Sequence, residues 1–178
     1  MYIFSKMEET RVAFIGIIAE SKNEMQIKRV LDNCLNSRHK EHTIIMINDK
    51  NIENIKGIRF ETLLITSLTE ITNKKLINNL LKNSKYLVIS SDINTEDIEL
   101  TNSIKLNVIT FGFNQKSTIT ASSVEEGIII CIQRRILDIN KRYIEPQEIQ
   151  LRIDNEIMLK NTHNSMGVAG VMLIYNKN

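Results

Sequence analysis

The 178-residue sequence has no tryptophan, one proline and two cysteines. Cys34 and Cys131 lie far apart inside apolar stretches, which excludes a disulfide framework and predicts buried, reduced thiols. No proline-rich or low-complexity linker and no internal repeat is present, and the lone Pro146 punctuates entry to the last strand-like stretch. No apolar run reaches membrane-spanning length, and Met1–Thr10 is short and carries Glu8 and Glu9, unlike a signal peptide. A cytoplasmic protein with no membrane partner is therefore expected. Charge of one sign is also lacking: 23 basic against 21 acidic residues leave a net charge of +2, with the basic residues scattered. That is too little to make nucleic acid a main partner. What remains, 42% hydrophobic and 25% charged residues, is ordinary for one globular domain, here residues 11–178 behind a lead of 1–10.

The stretch Arg11–Leu35 organises the chain. Arg11-Val-Ala-Phe-Ile-Gly-Ile-Ile18 is an apolar, β-branched run, as expected of a strand buried on both faces. Ile27, Val30, Leu31, Cys34 and Leu35 then form one helical stripe, opposite Lys28, Arg29 and Asp32. Further strands are predicted at Thr43–Ile47, Thr62–Thr66, Tyr86–Ser90 and Asn107–Phe111. Helices are predicted after Asn73, with Leu76, Ile77, Leu80 and Leu81 facing inward, and over Thr95–Ser103. This alternation implies a mostly parallel sheet flanked by helices. From Gly112 the pattern changes. Ser117–Ser123, Gly127–Ile136 and Glu148–Ile153 read as about three antiparallel strands, with a hairpin turn at Glu125-Glu126-Gly127 and a last helix from His163 to Tyr175.

Several residue groups invite a chemical reading. Ser21-x-x-Glu24 has the form of a capping box, whose reciprocal bonds would occupy the backbone donors at the helix start. His39-x-x-His42 has metal-like spacing but no third ligand nearby, and reads as a solvated turn. Gln133-Arg134-Arg135 reads as an outward-facing strand end, and Lys74-Lys75 as an exposed helix face. No Ser-His-Asp or Cys-His arrangement emerges, so no catalytic residue and no metal site is expected.

Taken in order, the motifs resemble the central, ATP-binding domain of the Mur ligase family, over roughly residues 11 to 175. Those enzymes add amino acids to UDP-linked muramyl precursors of the bacterial cell wall. The strand Val12–Ile18 and its helix stand in the place of the family's Gly-x-x-Gly-Thr-Asn-Gly-Lys-Thr-Thr phosphate loop. Leu64-Ile-Thr-Ser-Leu68, Val88-Ile-Ser-Ser-Asp92, Val108-Ile-Thr-Phe-Gly112 with Ile119-Thr-Ala, and Asn161-Thr-His-Asn164 match later family segments. The resemblance implies a fold of phosphate-loop type and a nucleotide site at Ser21, Lys22, Asn23, Glu24, His163 and Asn164. His163-Asn164 would then lie near the adenine; a helix cap at Thr162 or Asn164 is the favoured reading, since capping alone explains Thr and Asn there.

The departures from the family matter for function. The phosphate-gripping lysine becomes Asn23 and the magnesium-binding hydroxyl becomes Glu24, while loop glycines or small residues become Ala19, Glu20 and Lys22. The family's Asp-His pair has no counterpart in Thr69-Glu70-Ile71-Thr72, and its carbamylated lysine matches only Lys75. Its UDP-binding and amino-acid-binding domains have no counterpart in these residues. Phosphoryl transfer needs cations to offset developing charge, and this turn offers Asn and Glu. The expectation is a catalytically inactive, vestigial nucleotide site with no cofactor, in a bacterial cytoplasmic module that self-associates or binds a protein partner. The alternative is an ATP- and Mg²⁺-binding ligase domain of cell-wall precursor synthesis, completed by a partner chain.

Overall fold

The computed structural model describes residues 12–37, 41–94, 98, 105–124, 127–151 and 161–175. The predicted helix at Thr95–Ser103 lies outside the described residues, Ile98 apart, as do Arg11, His39 and the Glu125-Glu126 turn. The chain is α/β. Its elements run β1 (Ala13–Ile18), α1 (Ser21–Asn36), β2 (His42–Met46), β3 (Phe60–Ile65), α2 (Lys74–Lys82), β4 (Ser84–Ser90) and β5 (Asn107–Phe111). They continue as β6 (Ile119–Val124), β7 (Gly127–Ile132), β8 (Ile136–Leu137), β9 (Tyr143–Ile144), β10 (Gln147–Leu151) and α3 (Thr162–Ile174).

One mostly parallel, eight-stranded sheet has the order β10-β7-β6-β5-β4-β3-β1-β2. The first five strands are mutually parallel, and the order 2-1-3-4-5 reverses between β1 and β3. β6 is parallel to β5 at a single position, Phe111 opposite Ile119, because the short 112–118 connection cannot carry a full parallel crossover. β7 pairs antiparallel with both β6 and β10, and β8 and β9 form a separate antiparallel pair. The predicted strand Gly127–Ile136 is thus divided, its end turning away into β8.

Alternation along each strand sorts the core into two layers. Ile15, Ile17, Leu64, Val88, Ile109 and Phe111 face α1 and α3. Ile18, Leu63, Ile65, Leu87 and Ile89 face α2. The stripe on α1 buries Ile27, Val30, Leu31 and Leu35. On α2, Ile77, Leu80 and Leu81 are buried, while Leu76 is only partly so. Cys34 and Cys131 are half-buried thiols rather than buried ones, because each sits at the margin of its apolar face.

The helix α3 is apolar nearly all round, as suits a helix covered on most sides. It lies close to the sheet because two glycines face it. A methyl group added at Gly167 would come within 3.0 Å of Phe111, and one at Gly170 within 2.8 Å of Val88. This close seat fixes where the start of α3 meets the strand ends.

Candidate functional site

The carboxyl ends of β1, β3 and β4 and the start of α3 meet at one edge of the sheet. There they enclose a cavity of about 460 Å³ lined by Lys22, Asn23, Thr66, Ser90, Asp92, His163 and Asn164, among others. It spans the place where the strand order reverses, the usual ligand position in open α/β sheets. Of the residues predicted from the sequence, Lys22, Asn23, His163 and Asn164 come together on its wall. Ser21 and Glu24 do not line it.

The capping box at the start of α1 does not form. Ser21 is the first helical residue, the N-cap position is Glu20, and the Glu20 side chain makes no capping bond. The Ser21 backbone N–H instead donates to both carboxylate oxygens of Glu70, at 3.2 and 3.1 Å, and its hydroxyl donates to Glu70 Oε2. A carboxylate from a loop 49 residues away therefore supplies what a local Glu24 bond would have supplied. It also sits on the positive end of the helix dipole, where an anion is stabilised. Hydrogen bonds from the Ser21 side chain, then from its backbone, hold the Glu70 carboxyl below its ordinary range. Glu24 is pushed the other way, first by burial and then by repulsion from Glu70. Lys22 is paired with Glu20 at 2.6 Å, a bond that raises its pKa.

The start of α3 is also capped differently from expectation. Asn161, not Thr162 or Asn164, is the cap: its Oδ1 accepts from the His163 N–H at 2.9 Å and the Asn164 N–H at 3.4 Å. Asn161 precedes the helix with extended backbone, the geometry a cap requires. Asn73 holds the corresponding place before α2 but makes no side-chain cap bond.

The side chains beyond that cap form a polar cluster. His163 Nε2 lies 2.8 Å from Ser90 Oγ and 3.3 Å from Asp92 Oδ2, and the Asp92 N–H donates to Ser90 Oγ at 3.1 Å. The Phe111 ring packs against the imidazole at 4.9 Å between centroids. Burial lowers the His163 pKa, with the nearby Asp92 carboxylate partly opposing the shift. Asn164 is 3% exposed, and its amide Nδ2 has no hydrogen-bond partner. A buried donor left unpaired costs about 1–3 kcal/mol, so it marks a place where an acceptor would be held.

The sequence showed no serine–histidine arrangement, and the fold creates one between residues 73 positions apart. Ser90, Asp92, Glu70 and Asn161 were not singled out as site residues. The available signal was position, since Ser90 ends a predicted parallel strand and Asp92 lies two residues beyond it.

Other groups separate from the site. His42 is not in a solvated turn: it opens β2, and its nearly buried ring bonds Asp32 at 3.1 Å. No set of three or more possible metal-ligating side chains occurs among the described residues. Lys74 lines the cavity rather than standing on a wholly exposed face, and Lys75 is exposed. Arg134 donates to the Lys116 carbonyl, and Arg135 stacks over Tyr143 at 5.3 Å.

Fold and cavity define an α/β protein with a polar site at the switch point of its parallel sheet. No protein-family model matches the chain, and no curated protein matches it. No helix among the described residues is long and apolar enough to cross a membrane.

Proposed function

We propose that this chain is a Mur-ligase-like domain, inactive as an ATP-dependent ligase, that serves as a binding or regulatory module in a bacterial cytoplasm. The observation that supports this reading is the Glu70 carboxylate on the first N–H and hydroxyl of α1. In a phosphate loop those donors face the nucleotide. Here they hold an internal anion, flanked by the carboxylates of Glu20 and Glu24 and with no lysine at position 23. A triphosphate with Mg²⁺ would have to displace Glu70 at a helix start where Glu24 adds negative charge and Lys22 is already paired with Glu20. The module acts through a second copy or a protein partner, with no cofactor of its own.

Isothermal titration of the full chain with ATP and Mg²⁺, repeated with UDP-muramyl precursors, tests the reading. No saturable heat at micromolar ATP is expected. Saturable binding that is lost in Asn164→Ala would favour the second reading, an ATP-binding ligase domain completed by a partner. That second reading draws on Lys22, Asn23, His163 and Asn164 sharing one cavity.

A further inference from the structure

We propose that the β4–α3 side of the cavity is a nucleophilic acyl-transfer site, with Ser90 as nucleophile and His163 as its general base, acting on a small activated ester or thioester. Phosphate binding would use the start of α1, so this proposal shares only His163 and Asn164 with the nucleotide question. The essential geometry is the 2.8 Å approach of Ser90 Oγ to His163 Nε2, within hydrogen-bond reach for proton transfer. Ser90 is the last residue of a central parallel strand, so its hydroxyl is held on a rigid element at the cavity wall. The Asp92 N–H donates to Ser90 Oγ, and in the Nδ1–H tautomer of His163 the hydroxyl proton can be given to Nε2.

The Asp92 carboxylate, 3.3 Å from Nε2, faces the charge that appears there when the ring takes the proton, and so acts as a positioning residue. Asn164 Nδ2 is a buried donor without an acceptor on the same cavity wall, available for the oxygen that becomes negative. The burial that keeps His163 neutral leaves its nitrogen able to accept a proton at neutral pH.

The steps balance as follows. Ser90 Oγ bonds to the acyl carbon as its proton moves to His163 Nε2. The bond from that carbon to the alcohol or thiol breaks, and the leaving group takes the proton from Nε2. Water then attacks the acyl-serine, its proton passing to Nε2 and on to the departing Ser90 oxygen, which yields the free acid and the starting enzyme. Acid, alcohol or thiol, and one consumed water account for every atom, with no change of oxidation state.

The test treats the full chain with a fluorophosphonate and with p-nitrophenyl acetate, locating the adduct by peptide mass spectrometry. A single adduct on Ser90 is expected, absent in Ser90→Ala. Its rate should rise with pH around a midpoint below the ordinary histidine value of about 6.5. His163→Gln should slow labelling by about a hundredfold or more while thermal melts show it folded. Asp92 is 67% exposed, so Asp92→Asn leaves the fold intact and should move the labelling midpoint to lower pH. No adduct on Ser90 in the folded wild type, equal labelling of a folded His163→Gln, or an unmoved midpoint in Asp92→Asn would each overturn the proposal. ATP binding without Ser90 labelling would overturn both readings, whereas absence of both leaves the inactive-ligase reading standing and this one refuted.

Discussion

At the scale of single residues, carboxylates decide more than any other group. Glu70 is held below its ordinary pKa by Ser21, so its contribution to stability is present above the unfolded-state value of about 4.3 and lost as pH falls through the folded value. Glu70→Gln should therefore lower the urea midpoint at neutral pH, with the gap to wild type closing in acid. Glu24 has the opposite sign. Its carboxyl is raised, so ionisation costs stability at neutral pH, and Glu24→Gln should leave the midpoint unchanged or raise it. A lowered midpoint for Glu24→Gln would restore the capping box. The buried Asp138 accepts from the Arg142 backbone at 2.8 Å and from its guanidinium at 2.9 and 2.8 Å. Burial pushes this carboxyl up, and the Arg142 bonds outweigh that to bring it below the usual range. Asp138→Asn should cost about 1.5–3 kcal/mol in denaturant melts, the scale for hydrogen bonds to a charged group.

At the scale of elements, α3 has the sharpest requirements. Its start depends on one side chain, since Asn161 Oδ1 accepts two backbone N–H groups. Asn161→Ala should destabilise by about 0.5–2 kcal/mol, and Thr162→Ala by much less, as chemical denaturation would show. Its seat depends on Gly170. Alanine there improves helix propensity by about 0.5–1 kcal/mol. Its methyl group would also lie 2.8 Å from the short, branched Val88 side chain, which cannot swing away. The clash wins, so Gly170→Ala should destabilise by about 1–3 kcal/mol. Because α3 carries His163, the same variant should also slow any labelling of Ser90.

At the scale of the whole molecule, acid should unfold the protein in two windows. His163 is depressed by burial, so its contribution is present above the unfolded-state value of about 6.5 and falls away as pH drops through the folded value. Glu70 and Asp138 lose theirs lower, beneath about 4. Urea midpoints across pH should fall in both windows, and His163→Gln should flatten the upper one alone. Self-association is the second expectation at this scale. Phe14 and Val108, on strands of the main sheet, and Val12 just before β1 are about two-fifths exposed, a cost that contact with another surface would relieve. Sedimentation at rising concentration should show species heavier than the monomer, and a strict monomer would count against it.

Much of the fold was legible from local pattern. β-branched runs gave β1, β3, β4 and β5, and the 3.6-residue stripe gave the buried face of α1, because each depends on neighbours a few residues away. The start of α3 was legible to within two residues, since a polar Asn-Thr-His-Asn ahead of an apolar run signals a helix entry wherever the chain goes. Three things were decided only by the tertiary structure. The partner of Ser21 is Glu70 rather than Glu24, because a carboxylate brought across from the loop after β3 competes successfully with a local one. His42 leaves solvent because β2 lies beside β1 and under α1, where Asp32 meets it. Ser90 and His163 meet because parallel strands deliver their carboxyl ends to one edge and glycine lets α3 approach it. Periodicity records which face a residue takes on its own element, and no local pattern records which distant element will face it.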